Sequence, residues 1–157
     1  MEITIVMLIS AIVIGIAYTA FNIINQSYQS FHQKNEHMAD LVRLDELLRK
    51  DFDRAGVISK TTNGIIVKFA TDSINYDFEP DITVRTSTII DTFKLNVQDI
   101  VTNFELSPIT AINSTAEQNR IDELEFSILF ENEKIPYSYH KLYSSANLIE
   151  RNPNAIN

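Results

Sequence analysis

The chain of 157 residues carries a formal net charge of −8 and contains no cysteine. This length suits one domain, or one domain with an attached segment, rather than two full domains. The acidic balance, with no run of Lys or Arg, argues against nucleic acid as a partner, because phosphate binding needs clustered basic side chains. Without cysteine, a disulfide framework, a thiolate metal site and a cysteine nucleophile are all excluded for this chain.

The first predicted element is an apolar segment that is long enough to cross a membrane. Residues 3–24 carry no charged side chain, and the formal charges nearest to them are Glu2 and Lys34. An α-helix needs about 20 apolar residues to cross the hydrocarbon core of a bilayer. A cleaved signal peptide has a basic front end and a shorter apolar core. We therefore predict a retained transmembrane helix in residues 1–24, with a buried helix of a soluble protein as the alternative.

The second predicted element continues the same helix through residues 25–56. Neither Pro nor Gly interrupts residues 16–55. Apolar residues recur here at steps of three and four, which is typical of an amphipathic helix, and we predict that they pack the helix onto the rest of the domain. These residues are Leu41, Leu44, Leu48 and Phe52. Arg54 and Gly56 predict the end of the helix, with Gly56 in the left-handed conformation.

Residues 57–157 are predicted to form a β-rich head. Short segments rich in β-branched and aromatic residues alternate with turn-forming residues. The predicted strands are 65–69, 74–78, 82–86, 89–95, 100–106, 124–130 and 135–143. We expect the last two to form a hairpin across residues 131–134, residues 107–120 to form an irregular loop, and the tail after Arg151 to be frayed. The fold class is therefore predicted to be α+β, with one long helical spine packed by an antiparallel sheet.

The stretch Met1-Glu2-Ile3-Thr4-Ile5-Val6-Met7-Leu8-Ile9 resembles the N-terminal segment of type IV pilins and of the pseudopilins of type II secretion. In that family an aliphatic residue and a glutamate precede a long apolar helix. The family's mature chain starts with a Phe-Thr-aliphatic stretch after a glycine, where a prepilin peptidase cuts and methylates the new amine. Aligning Glu2 with the family's glutamate would place Met1 a few residues inside that mature start.

A second stretch, Leu44 to Ala55, is similar to the end of the spine helix in J-type minor pseudopilins. The order of the predicted strands after it also resembles the head of that subfamily. The resemblance implies a non-enzymatic minor subunit of a type II secretion pseudopilus, crossing the bacterial inner membrane once with its head in the periplasm. Its implied partners are other minor and major pseudopilins, the inner-membrane assembly platform, the lipid bilayer and the exported substrate.

Two other functions are compatible with the same sequence features. One is a single-pass membrane protein whose periplasmic or other extracytoplasmic head is a binding or sensor module, with no filament. The other is a minor subunit of a competence or adhesive type IV pilus. Each would use residues 1–24 as its membrane helix, so the helix alone does not distinguish them.

Glu2 is the candidate assembly residue. A carboxylate near the end of a membrane helix costs less than one at the centre, so Glu2 could lie among lipid headgroups without a function. The resemblance implies instead that Glu2 meets the N-terminal amine of a neighbouring subunit, an ion pair that would offset the cost of burying a carboxylate. The candidate residues for helix packing in a filament core are Ile5, Leu8, Ile9, Ile12 and Gly15.

The sequence provides little support for catalysis. No Gly-x-Ser-x-Gly motif is present, and the three glycines are too dispersed to form a phosphate-binding loop. We therefore expect the protein not to be an enzyme. Tyr137, Tyr139 and Tyr143 alternate along the last predicted strand, where they would form either an exposed aromatic face or cross-strand packing.

No metal site or cofactor is predicted, with one partial exception. His32 and His37 are five residues apart on the predicted helix, which places them on different faces. Asp77, Glu79 and Asp81 could contribute oxygens to Ca²⁺. This acidic stretch lacks the glycine and the distal glutamate of an EF-hand loop, so a solvated turn is the preferred interpretation.

Overall fold

A computed structural model describes residues 2–113 and 117–149 of the chain. Its first element is a helix of 53 residues, α1 (Glu2–Arg54). The chain divides into two compact units, Met1–Ala39 and Asp40–Asn157. A single long helix followed by antiparallel sheets confirms the predicted α+β layout. The proposed division at residues 24 and 56 stays a prediction.

The second unit contains a first sheet of five antiparallel strands that follow one another in chain order. They are β1 (Val57–Lys60), β2 (Gly64–Lys68), β3 (Ser73–Phe78), β4 (Thr83–Thr86) and β5 (Ile90–Phe93). Burial alternates along β2 and β3, because successive side chains of a strand point to opposite faces of the sheet. One face of this sheet therefore contributes to the core.

A second sheet has the strand order β7-β6-β8-β9 and is also antiparallel. Its strands are β6 (Asn96–Phe104), β7 (Ser107–Pro108), β8 (Glu123–Phe130) and β9 (Glu133–His140), and a short helix, α2 (Ser145–Ile149), follows them. The pairing of β6 with β8 shifts between Gln98 and Val101, where Asp99 has a positive φ of 54°. This irregularity is a β-bulge in the middle of β6.

The hydrophobic core of the second unit lies between the last turns of α1 and the two sheets. The four apolar residues with helical spacing, Leu41, Leu44, Leu48 and Phe52, are all buried. They belong to one cluster with residues from both sheets, among which the largest fully buried side chains are Tyr76, Phe93, Ile58, Ile65, Leu124 and Ile128. The apolar face of the amphipathic half of α1 is therefore covered by the two sheets of the same chain.

The structure corrects the predicted end of the helix. α1 ends at Arg54, and Gly56 does not have a positive φ, so the predicted left-handed cap is wrong. Instead, the Gly56 amide donates a hydrogen bond to the Lys68 carbonyl at 2.8 Å, next to the start of β1. The chain therefore passes directly from the helix into the first sheet, and β1 was not predicted.

The predicted boundaries of several strands also change. β6 starts at Asn96 rather than at residue 100, and β7 occupies the first two residues of the predicted irregular loop. The last hairpin turns over two residues, Glu131 and Asn132, with φ values of 49° and 68°. This is the two-residue turn with two positive φ angles that suits the twist of a hairpin, and it makes β9 start earlier than predicted. Residues 114–116 and the predicted frayed tail after Arg151 lie outside the described residues.

Candidate functional site

The N-terminal part of α1 is apolar around its whole circumference and exposed. Its large apolar side chains between Ile3 and Ile24 are each more than half exposed, and Asn22 is half-buried. By length and composition, α1 could cross a membrane. A helix that is hydrophobic on every side needs an apolar environment on every side. Within the described residues, the first unit has no such environment.

Glu2 lies in the first turn of α1 and is exposed. Ile5, Ile9 and Ile12 follow it at steps of three and four, so the helix places these side chains on the same face as the carboxylate. Leu8 borders that face. The positive end of the helix dipole favours a negative charge at this position. The structure therefore combines one carboxylate with one apolar face, both open to a partner.

Gly15 lies in a shallow groove along the same helix. The groove is lined by Ile12, Gly15, Ile16, Thr19, Ala20 and Ile23. A Cβ added to Gly15 would meet no atom within 4 Å. The Thr19 hydroxyl donates to the Gly15 carbonyl at 2.8 Å, so this polar group is satisfied inside its own helix, as an apolar environment requires.

The buried face of α1 carries an acidic side chain as well as apolar ones. Asp51 is only 2% exposed, and its Oδ2 accepts hydrogen bonds from the Tyr76 hydroxyl at 2.6 Å and from Arg85 Nε and Nη2 at 3.0 and 2.9 Å. Burial, followed by the hydrogen bond to Asp51, raises the pKa of Tyr76. Asp51, Tyr76 and Arg85 thus join the helix to β3 and β4 by charge-assisted hydrogen bonds.

A second carboxylate balances the charge of Arg85. Asp91 Oδ2 lies 3.6 Å from Arg85 Nη1, and its Oδ1 lies 2.6 Å from Arg43 Nη2. The four charged groups therefore alternate in sign from Asp51 through Arg85 and Asp91 to Arg43. The sequence does contain a signal for Asp51, since it follows Leu44 and Leu48 at steps of four and three, but its burial was not predicted.

Tyr139 joins the helix to the second sheet. It is buried, and its hydroxyl donates to Asp45 Oδ1 at 2.8 Å, while Arg49 Nε donates to the same carboxylate at 3.0 Å. Burial, followed by the hydrogen bond to Asp45, raises the pKa of Tyr139. The Tyr139 ring lies 6.4 Å from the ring of Tyr137 at an angle of 7°. Of the two alternatives for these tyrosines, the structure supports packing.

Tyr143 differs from the other two tyrosines, because it lies beyond the end of β9. Its hydroxyl donates to the Ile121 carbonyl at 2.6 Å. Burial raises the pKa of Tyr143 to about 12. All three tyrosines therefore contribute to the packing of the second unit, and their spacing in the sequence did not show which would be buried.

Three of the side chains considered for metal binding have other partners. Asp77 accepts a hydrogen bond from Asn75, Asp81 accepts one from Asn96 at 3.2 Å, and His32 lies 3.4 Å from Glu36. Across residues 2–113 and 117–149, no group of three or more His, Asp or Glu side chains is placed to hold a metal ion.

No protein-family model, no curated protein and no solved structure matches this chain. Its functional interpretation therefore depends on the residues and the geometry described above.

Proposed function

We propose that this chain is a non-enzymatic, pilin-like minor subunit of a type II secretion pseudopilus. α1 anchors the subunit in the bacterial inner membrane with the head in the periplasm, and the same helix packs with other pseudopilins when the filament assembles. The observation that carries the proposal is the exposed apolar helix of residues 2–24 that begins with Glu2. The resemblance of residues 1–9 to pilins supplies the type of assembly.

The physical argument starts from the exposed apolar surface. Burying one large aliphatic side chain is worth about 1.5–3 kcal/mol, so a helix with many such side chains is stable only in lipid or against other helices. In lipid these side chains face acyl chains. In a filament they face the equivalent helices of neighbouring subunits, and a filament core of this kind excludes both water and lipid headgroups.

Glu2 gives this assembly a fixed register. A carboxylate that leaves the headgroup region for a helix bundle must acquire a cationic partner, because an unpaired buried charge is strongly unfavourable. No Lys or Arg precedes Lys34 in the chain. The resemblance to pilins implies that the N-terminal amine of a neighbouring subunit is the cation that would pair with Glu2, and each pair would align two helices.

The proposal is tested by replacing Glu2 in the full-length chain. Tagged wild-type, Glu2→Ala and Glu36→Ala chains are produced with the pilin-like proteins of the host's secretion system, and complexes are recovered from membranes in mild detergent. Glu36 is a matched control, because it is an exposed carboxylate on the same helix. We expect Glu2→Ala to lower the recovery of pilin-like partners by about tenfold, which corresponds to 1.4 kcal/mol.

Membrane insertion of all three chains should be equal, since Glu2→Ala makes the helix more apolar. Equal recovery of partners with Glu2→Ala and Glu36→Ala would show that the Glu2 carboxylate has no role in assembly. If the wild-type chain recovers no pilin-like partner, the proposed function is wrong, and a single-pass anchor with a binding or sensor head becomes the better description.

A further inference from the structure

The two most exposed large apolar side chains of the described residues belong to the second unit. Leu106 is 94% exposed and Leu142 is 83% exposed, whereas the residues of the membrane-type helix reach at most 77%. Single exposed apolar residues are common on proteins and need no explanation. These two leucines differ because they occur together, and one of them also occupies an unfavourable backbone conformation.

Leu106 lies in the hairpin turn between β6 and β7. The turn consists of Glu105 and Leu106, with φ values of 49° and 65°, and a matching turn between β8 and β9 consists of Glu131 and Asn132. Asn is well suited to a positive φ, but Leu is not, and the left-handed conformation disfavours most side chains with a Cβ. The chain thus has a leucine where Asn would suit the backbone better.

Asp122 holds the backbone beside both leucines. Its Oδ2 accepts a hydrogen bond from the Glu105 amide at 2.8 Å, and its carbonyl accepts one from the Lys141 amide at 2.7 Å. Leu106 and Leu142 are the residues that directly follow these two. The rings of Phe104 and Tyr143, on either side, lie 6.2 Å apart. The two leucines therefore lie on two segments that are both hydrogen-bonded to Asp122.

The surroundings of the two leucines are acidic. Glu105, Asp122 and Glu123 lie here, and none of the three forms an ion pair within the described part of the chain. The ammonium group of Lys141 donates to the Asp53 carbonyl at 2.8 Å. We call Leu106 and Leu142 with these three carboxylates the leucine patch. Its charges would be complemented by a surface that carries Lys or Arg.

We propose that the leucine patch is the docking surface for the head of another pilin-like subunit, which presents an apolar pocket with basic residues at its rim. This inference rests on the proposed function. A second copy of this chain that docks through the same patch is a poorer occupant, because the two patches would bring together carboxylates that have no ion pair among the described residues. An anionic lipid surface is disfavoured for the same electrostatic reason.

The backbone strain at Leu106 allows a test in which stability and binding change in opposite directions. Leu106→Asn gives the first turn the Glu-Asn sequence of the second, so the variant should unfold at the same or a higher urea concentration. Partner recovery, measured with the full-length chain in detergent, should fall by about tenfold. A loss of binding caused by damage to the fold would be accompanied by a lower urea midpoint.

Two further variants complete the experiment. Leu142→Asn should also lower partner recovery, whereas Ile89→Asn, which removes an apolar side chain that is 69% exposed at the turn between β4 and β5, should leave it unchanged. Recovery within about twofold of wild type for the Leu106→Asn, Leu142→Asn double variant would overturn the inference.

The Glu2→Ala variant in the same experiment separates the two proposals. If Glu2→Ala lowers recovery and the double variant does not, the docking surface is wrong and the proposed function stands. If the wild-type chain recovers no pilin-like partner, both are wrong. Recovery that depends equally on Leu142 and on Ile89 would also overturn the inference, since it would indicate unspecific apolar contact.

Discussion

The two halves of α1 share one helix but differ in what surrounds them. Between Ile3 and Ile24 the apolar side chains occupy every side and are exposed, whereas Leu41, Leu44, Leu48 and Phe52 lie on one side of the second half and are buried. The polar groups differ in the same way. Thr19 is satisfied by its own helix, and Asp51 is satisfied by side chains of the first sheet.

This difference shows how a sequence pattern indicates where the partner of a helix lies. A one-sided apolar stripe can be covered by a sheet of the same chain, and here the stripe of Leu41, Leu44, Leu48 and Phe52 is covered in this way. An apolar surface on all sides cannot be covered by one sheet. It requires lipid or several helices, and the proposed membrane and filament environments of residues 2–24 would each meet this requirement.

The largest effect in the second half of α1 is expected for Asp51→Ala. The substitution removes the acceptor of the Tyr76 hydroxyl and the closer of the two carboxylates that pair with the largely buried guanidinium of Arg85, and breaking a buried ion pair from one side costs about 3–5 kcal/mol. We expect the free energy of unfolding to fall by this amount in urea titrations of the full-length chain in detergent. Near-ultraviolet circular dichroism of the tyrosines reports the unfolding.

A matched variant separates charge from packing at this position. Replacing Asp51, Tyr76 and Arg85 together by apolar residues removes the network without leaving a charge unpaired, and it should recover much of the lost stability. If Asp51→Ala alone unfolds at the wild-type urea concentration, the network contributes nothing to the attachment of helix and sheet. The comparison between the two halves would then rest on the apolar residues only.

The next largest effect is expected when one large apolar side chain in each half of α1 is replaced by alanine. Leu48 is 0% exposed, so Leu48→Ala should lower the free energy of unfolding of the second unit by about 2–5 kcal/mol. Ile12 is more than half exposed, and Ile12→Ala should change the same quantity by less than about 0.5 kcal/mol. Urea titration measures both. Equal losses would mean that the two halves do not differ in their environment.

The outline of the fold was predictable because its signals are local. The spacing of Leu41, Leu44 and Leu48 identifies the buried helical face, and the alternation from Ile74 to Phe78 identifies β3. β1 and β7 were not predicted, because they are short and lack a clear alternation. Their pairing depends on partners elsewhere in the chain, such as Lys68 for β1, which a local pattern does not contain.

The candidate site was predictable only in part. Glu2 and the apolar face after it are visible in the sequence, and the structure places them on one side of α1. The spacing of Asp51 after Leu44 and Leu48 indicates the buried face, but its role depends on Tyr76 and Arg85, which are 25 and 34 residues away and which the spacing does not identify. Leu106 was likewise missed, because its positive φ follows from the pairing of β6 with β7.

The smallest expected effects on the free energy of unfolding come from two glycine variants, one in each unit. A Cβ at Gly64 would lie 1.9 Å from the Tyr76 carbonyl oxygen, whereas a Cβ at Gly15 would meet no atom within 4 Å. Gly64→Ala forces backbone to move and should cost about 1–3 kcal/mol of unfolding free energy. Gly15→Ala should leave the unfolding of the second unit unchanged.

The two glycine variants should rank in the opposite order when the recovery of pilin-like partners is measured instead of stability. Gly15 permits close approach of another helix, so Gly15→Ala should reduce the recovery of pilin-like partners, in line with the preference for small residues between packed membrane helices. Gly64→Ala should affect recovery only to the extent that it unfolds the second unit. If Gly15→Ala leaves recovery unchanged, close helix packing at this position is wrong, and the groove between Ile12 and Ile23 faces lipid in the assembled state as well.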